Sequence, residues 1–121
     1  MPDKLTAHDL AQFTGSTTFY RHGLVRSVVY TEGVQFLAKK AEAYWLIDKI
    51  ATLQLEPKIR SEDFQVWELT VVDGGATLAC EDGNDNVVYS ENITFTDIPL
   101  DTISLYAVIG EVRTIMLPSE Y

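Results

Sequence analysis

Apolar and polar positions follow two different periods along the chain, and the change of period divides it into a helical part and a strand-rich part. Between Thr31 and Pro57 the apolar residues recur with helical spacing, which predicts one long helix. After residue 63 the apolar runs are short, rich in β-branched and aromatic residues, and separated by Asp-Gly pairs. Because such pairs are strong hairpin signals, this half is predicted to consist of antiparallel strands.

Two smaller elements are predicted before the long helix. Residues 5–15 are expected to form a short amino-terminal helix, in which Thr6 and Asp9 have nearly the spacing of a capping box. Residues 17–31 are expected to form two short strands with a turn around Gly23. We therefore predict an α+β fold in a single domain, residues 1–121. Its antiparallel meander sheet would have about five to seven strands, with one long helix packed across a face.

The predicted long helix is apolar on two sides. At 100° per residue, Val34, Leu37 and Ala41 belong to one stripe, whereas Leu46 and Ile50 belong to another. A helix of this kind needs cover from the sheet and from something else, either the chain's own segments or a second subunit. A structural oligomerisation module, such as a homodimer, therefore remains one alternative.

The charge of the chain is strongly one-sided. The net charge is −9; residues 1–60 contain eight basic and six acidic residues, whereas residues 61–121 contain twelve acidic residues and a single basic one, Arg113. Such a field disfavours direct binding to nucleic acid and favours a basic protein partner. The candidate interaction surface is an acidic hairpin face. Its centre is Glu81, Asp82 and Asp85, with Asp73, Asp97 and Asp101 as neighbours.

The residues offer little catalytic or metal-binding chemistry. There is no glycine-rich phosphate loop and no Gly-x-Ser-x-Gly elbow, and His8 and His22 fall in different predicted elements. Residues 81–86 do not fit a calcium loop. We therefore expect no metal, no cofactor and no catalytic residue. The lone Cys80, with no apolar run of membrane-spanning length and no signal peptide pattern, predicts a cytoplasmic protein without a membrane partner.

One set of residues suits either a structural clasp or a pocket. Asp48 falls within the first apolar stripe, where a carboxylate needs a cation or several hydrogen-bond donors. We predict a contact from Arg21 or His22 to Asp48 that ties the short strands to the helix. The alternative is a ligand-binding or catalytic pocket at the same place, and the only cysteine-based triad would combine Cys80 with His22 and Asp48. The residues of the clasp or pocket are Tyr20, Arg21, His22, Tyr44, Trp45 and Asp48.

Six segments along the chain, QFTG, YRH, AYWLID, FQVWELTV, CEDGN and LPSEY, carry a family resemblance. They resemble a family of small proteins from bacteria, phages and plasmids that is known only as a domain of unknown function. The resemblance covers nearly the whole chain and implies no catalytic residues. It implies a mobile-element context, in which small acidic proteins often act as anti-CRISPR or anti-restriction inhibitors. Together with the charge, it predicts a non-enzymatic inhibitor that docks on the basic nucleic-acid-binding surface of an effector.

Overall fold

A seven-stranded sheet with helices on one face forms the body of the protein in the computed structural model, which describes residues 6, 9–10, 12–13, 18–94, 96 and 98–121. The strands are β1 (Phe19–Arg21), β2 (Val28–Thr31), β3 (Phe64–Val72), β4 (Gly75–Glu81), β5 (Val87–Ile93), β6 (Thr102–Ile109) and β7 (Arg113–Met116). The helices are α1 (Glu32–Ala41), α2 (Tyr44–Leu53) and α3 (Pro57–Arg60), with a 3-10 helix at Pro118–Glu120. The fold is α+β, as predicted.

The sheet is mixed, so the predicted antiparallel meander is wrong. The strand order is β1-β2-β7-β6-β3-β4-β5, and β2 and β7 are parallel whereas every other pair is antiparallel. Only β3, β4 and β5 follow one another as a meander. After β5 the chain continues into β6, which pairs with the other side of β3. Strand β7 follows and pairs with β2, which lies near the other end of the sequence. This last pairing joins distant segments, which no local pattern encodes.

The two Asp-Gly turns form where the sequence predicts them. Asp73 and Gly74 connect β3 to β4 with φ angles of 52° and 80°. Positive φ at both central residues is the mark of the tight hairpin turn that matches the twist of the strands. In the β4–β5 turn, Gly83 and Asp85 also have positive φ, of 88° and 67°.

The predicted long helix is broken into two. Helix α1 ends at Ala41, Glu42 takes a left-handed conformation with φ 53°, and α2 begins at Tyr44. The two apolar stripes lie on nearly opposite sides of an unbroken helix, and the break turns the second half so that both are buried. The prediction of one continuous helix was therefore wrong, and the second stripe is covered by the chain itself. In addition, the short helix α3 lies between the predicted long helix and the first predicted strand, and no pattern in the sequence predicted it.

The helices cover the inner face of the sheet, and its outer face is half-buried. Alternating residues of the central strand β3 show this, because Trp67 and Leu69 are buried whereas Phe64, Val66 and Glu68 are partly exposed. The core contains large apolar side chains from the inner face and from α1 and α2. They include Leu37, Leu46, Ile50, Trp67, Leu69, Leu78, Leu105 and Ile115.

The described part of the amino-terminal segment contains the predicted capping pair. The Thr6 N–H donates to Asp9 Oδ2 at 3.0 Å, and the Asp9 N–H donates to Thr6 Oγ1 at 3.3 Å. Most of the predicted short helix lies outside the described residues. Phe13 packs on Phe36 of α1 with ring centroids 5.2 Å apart. In the part of the chain that the structure describes, no helix is long and apolar enough to cross a membrane.

Candidate functional site

The structure joins His22 to Asp48, one of the two contacts predicted for this carboxylate. The distance from His22 Nε2 to Asp48 Oδ1 is 2.7 Å. The other ring nitrogen, Nδ1, accepts hydrogen bonds from the backbone N–H groups of Leu24 and Val25 at 3.2 and 2.9 Å. Because Nδ1 is an acceptor, the proton of the neutral ring lies on Nε2 and is donated to Asp48. Both nitrogens are occupied, so His22 has none left to act as a general base.

Two parts of the clasp hypothesis are corrected by the structure. The side chain of Asp48 is 65% exposed, because the break before α2 places it outside the buried stripe of that helix. A buried charge is therefore not the reason for the contact. The second correction concerns Arg21, whose guanidinium donates to the backbone carbonyl of Arg26. Arg21 therefore fastens the loop that follows β1.

The aromatic residues of the predicted pocket do not converge on one cavity. Tyr20 stacks on Tyr30 with centroids 5.6 Å apart. Burial raises the pKa of Tyr30, and Tyr44, Asp48 and Tyr20 raise it further, in that order. Trp45, the neighbour of Tyr44 in α2, instead lines a cleft beside β5. The residues predicted as one pocket are thus divided between two sides of α2.

Cys80 takes no part in a triad with His22. It lies on β4 with its side chain fully buried, and burial is the main cause that raises the pKa of its thiol to about 12. Strand β4 lies five strand spacings from β1, after which His22 follows. At ~4.8 Å per spacing this is a separation of about 24 Å. The thiol stays protonated and out of reach of the imidazole.

The predicted acidic face is divided between the two ends of the sheet. Asp73 and Asp101 lie at the end of the sheet where β4 and β6 begin. Glu81 and Asp82 lie at the opposite end, where β4 finishes. The seven residues of β4 span about 23 Å. Asp97 lies outside the described residues. The cause is the meander itself, because successive hairpin turns fall at alternate ends of the strands.

Three carboxylates that the sequence reasoning missed lie at the same end as Glu81. Asp63 precedes β3, and its carbonyl accepts from the Ile109 N–H at 2.9 Å, which places it beside the end of β6. Glu111 lies in the turn that follows β6. Glu62 is the third, and its electrostatic effect places it here: like Glu81 and Asp82, it raises the pKa of Cys80 further. We call this group the acidic end: Glu62, Asp63, Glu81, Asp82, Asp85 and Glu111.

Arg113 lies beneath the acidic end and is buried. Its Nη1 donates to the Asp63 carbonyl at 2.9 Å and to the Ala107 carbonyl at 3.5 Å, and its Nη2 donates to the Arg60 carbonyl at 2.9 Å. Burial is the main cause that lowers the pKa of Arg113. The residue is only 4% exposed. Since it is the single basic residue of residues 61–121, this half of the chain places no cation on the surface.

Asp82 organises the turn between β4 and β5. Its Oδ1 accepts from the backbone N–H groups of Asn84 and Asn86 at 2.8 and 3.2 Å, and its Oδ2 accepts from the Asn86 amide at 3.0 Å. These hydrogen bonds, led by the one from Asn84, lower the pKa of Asp82. The turn therefore holds its shape through Asp82, while Asp85 at its tip is exposed.

An aromatic cluster on the outer face adjoins the acidic end. The ring centroids of Phe64 and Tyr106 are 4.9 Å apart, and those of Tyr121 lie 5.3 Å from Phe64 and 5.6 Å from Tyr106. Tyr121 is 73% exposed. The Phe64 ring also touches the β4–β5 turn, since a Cβ on Gly83 would lie 3.0 Å from it. An apolar centre thus lies next to a group of carboxylates.

The carboxyl-terminal tail that carries Tyr121 is fastened to the start of α1. Glu120 Oε1 accepts from Thr31 Oγ1 at 2.6 Å and from the Leu117 N–H at 2.9 Å, and Oε2 accepts from the Gly33 N–H at 3.3 Å. Carboxylates are stabilising at this end of a helix. The contact ties the carboxyl-terminal LPSEY segment to the amino-terminal end of α1.

Two clefts lie between the helices and the edge strand β5. The larger has a volume of about 550 Å³ and the smaller about 370 Å³. The larger cleft is lined by Glu42, Trp45, Lys49, Glu91, Asn92, Ile93, Thr94 and Thr96. The smaller is lined by Leu53, Glu56, Lys58, Ile59, Val88 and Tyr89. His22 and Asp48 line neither of them. The described residues contain no group of three or more metal-binding side chains.

Sequence comparison assigns the chain to a family. Residues 4–121 match the sequence profile described as "Family of unknown function (DUF6876)", and the chain belongs to this family. No curated protein and no solved structure matches it. The comparison agrees with the resemblance noted from the sequence, and it supplies no activity or partner.

Proposed function

We propose that this member of a family of unknown function is a non-enzymatic binding protein that docks through its acidic end on a basic protein surface. The burial of Arg113 carries the proposal. A buried arginine that bonds to backbone carbonyls still adds its charge to the field, but it offers no basic side chain to a partner. The charged side chains that residues 61–121 present at the surface are therefore carboxylates.

The aromatic cluster supports a protein partner. Stable interfaces combine a central group of aromatic or apolar side chains with a polar rim, and tyrosine is enriched among the residues that contribute most to affinity. Phe64, Tyr106 and Tyr121 supply such a centre. The acidic end would form one side of its rim and select a basic partner.

The specific form of this proposal is an inhibitor of a nucleic-acid-binding effector, of the anti-CRISPR or anti-restriction kind. Carboxylates at the acidic end would occupy the positions of phosphates in a basic groove and compete with DNA or RNA for it. Binding of this type weakens as salt rises, because the Debye length falls from about 10 Å at 0.1 M to about 3 Å at 1 M ionic strength.

The test is affinity capture from a lysate of bacteria that carry defence systems, with three immobilised baits. The first is the natural chain, the second carries Asp85→Lys and Glu111→Lys, and the third carries Asp73→Lys and Asp101→Lys at the opposite end. The two variants are matched, because each replaces two carboxylates and one of the two in each has positive φ, 67° at Asp85 and 52° at Asp73.

The proposal predicts a captured nucleic-acid-binding protein that is released by salt and by added DNA or RNA. The bait altered at the acidic end should lose it, and the bait altered at the opposite end should keep it. A partner without a basic groove, or one lost equally from both variants, contradicts the proposal.

A further inference from the structure

Strand β5 is an open edge of the sheet. Its seven residues pair with β4 on one side, and among the described residues no strand pairs with the other side. The opposite edge, β1, has only three residues. An open edge presents a row of backbone N–H and C=O groups that can pair with an extended segment of another chain.

One device that blocks an edge, a bulge, lies at the start of β5, where the pairing with β4 shifts between Cys80 and Glu81. The other usual devices are weak in the rest of the strand. Its sequence, VVYSENI, contains neither proline nor lysine. A charge on the inner face also discourages a further strand, and Glu91 holds that position. Its charge is compensated, however, because Lys49 Nζ lies 3.3 Å from Glu91 and the Tyr89 hydroxyl donates to Glu91 at 2.7 Å. The pKa of Tyr89 is raised to about 12 mainly by this hydrogen bond, so the hydroxyl remains a donor.

The two clefts follow the inner side of this edge. Tyr89 lines the smaller cleft and Ile93 lines the larger one, with Glu91 between them. These three residues alternate along β5, and all of them face inward. The inward side chains of an added strand would lie beside them, and the two that enter the clefts would be four residues apart, or about 13 Å.

The clefts differ in chemistry, which defines the side chains they suit. The smaller has an apolar wall of Leu53, Ile59 and Val88. The larger combines the indole of Trp45 with the carboxylate of Glu42, which forms no ion pair within the part of the chain described. An indole and a carboxylate together suit a cationic side chain, through a cation–π contact and charge attraction.

We propose that β5 and its two clefts bind an extended peptide segment as an eighth strand. An apolar side chain of the peptide enters the smaller cleft, and an arginine or lysine side chain four residues away enters the larger cleft against Trp45 and Glu42. The backbone ladder provides affinity for any extended chain, and the two clefts provide the sequence preference. This surface is separate from the aromatic cluster on the outer face, and the inference does not depend on the proposed function.

The test is a selection of randomised ten-residue peptides, displayed on phage, against the full chain. We expect enriched sequences to have an apolar residue and an arginine or lysine four residues apart. Glu42→Lys should weaken binding of the consensus peptide at least tenfold, and Trp45→Leu should weaken it similarly. Tyr44→Leu, one residue away but near Tyr30 of β2 and outside both clefts, should leave it unchanged. Hydrogen exchange should slow at alternate backbone amides of β5 when the peptide binds.

Several results would overturn the inference. These are a selection without enrichment, enriched sequences that lack the four-residue spacing, equal binding to the Glu42→Lys variant, or unchanged exchange along β5. Light scattering that gives a dimer for the natural chain and a monomer for Glu42→Lys would also overturn it. That result would show that a second copy of the chain occupies the edge in place of a peptide. Glu42 is exposed, so Glu42→Lys tests the site without altering the core. Its φ is positive with either side chain, so the substitution adds no backbone strain of its own.

Discussion

Arg113 donates a hydrogen bond of 2.9 Å from Nη1 to the backbone carbonyl of Asp63, and not to its carboxylate. The distinction has a consequence for the surface. A salt bridge would occupy the Asp63 carboxylate, whereas a bond to the carbonyl satisfies the buried guanidinium and leaves the carboxylate available for contact, although the charge of Arg113 still acts on it. One interaction therefore stabilises the junction of α3 and β3 and leaves the Asp63 carboxylate available to a partner.

Arg113→Met should destabilise the fold. It removes the donor to the Arg60 carbonyl and one of the two donors to the Asp63 carbonyl, which keeps the Ile109 N–H, and we expect the free energy of unfolding to fall by about 2 kcal/mol. Arg60→Met is the matched control, because its side chain is exposed and its carbonyl is retained. Urea unfolding measures both. Equal effects of the two variants would show that the buried guanidinium is not needed.

His22→Ala should cost more stability than Asp48→Ala. Without the imidazole the part-buried N–H of Leu24 and the buried N–H of Val25 lose their acceptor, which we expect to cost about 2 kcal/mol. Asp48→Ala removes only an exposed partner and should cost about 0.5 kcal/mol. The midpoints of urea unfolding give the order, and the reverse order would assign the clasp to the carboxylate.

Gly33→Ala should destabilise the protein although alanine is the better helix former. An added Cβ would lie 2.7 Å from Glu120 Oε1 and 2.7 Å from Leu117 Cδ1, so the tail must move. We expect a loss of about 2 kcal/mol. Gly23→Ala, where nothing lies within 4 Å, is the control and should be nearly neutral. Thermal unfolding compares them, and a stabilised Gly33→Ala protein would show that the tail does not pack there.

The buried thiol should make stability fall as the pH rises from about 9 toward 12. The pKa of Cys80 is raised from an ordinary 9.0 to about 12 in the folded chain, so the unfolded chain loses this proton first. The stabilisation is complete below pH 9 and is lost as pH rises, with a slope of up to about 1.4 kcal/mol per pH unit. Denaturant titrations should show a smaller slope for Cys80→Ala, and an unchanged slope would contradict the assignment.

Local patterns predicted the strands and turns but not the break in the helix or the order of the strands. The Asp-Gly pairs predicted the turns on either side of β4, and the β-rich runs after residue 63 predicted the strands that those turns connect. Glu42 carries no local signal for a left-handed residue, since glycine or asparagine is usual there. The mismatch between the two apolar stripes was the available signal for the break. It also fits an unbroken helix that is covered on two sides, which is what we predicted from the sequence. The parallel pairing of β2 with β7 depends on packing between distant segments.

The candidate site was predicted only in part, because its grouping of residues also depends on the order of the strands. The excess of acidic residues and the contact between His22 and Asp48 could be inferred from sequence. The grouping of carboxylates could not, because it depends on which turns share an end of the sheet. Alternation of successive turns would have separated Asp73 from Asp82. The position of Glu111 required the strand order.

The most direct test of the central claim is the salt dependence of the affinity for the captured partner. Isothermal titration at several salt concentrations would compare the natural chain with the two matched charge-reversal variants. The account predicts that affinity falls steeply with salt, that Asp85→Lys with Glu111→Lys abolishes most of this dependence, and that Asp73→Lys with Asp101→Lys preserves it. An affinity that does not change with salt, or that responds equally to both pairs, would contradict docking through the acidic end.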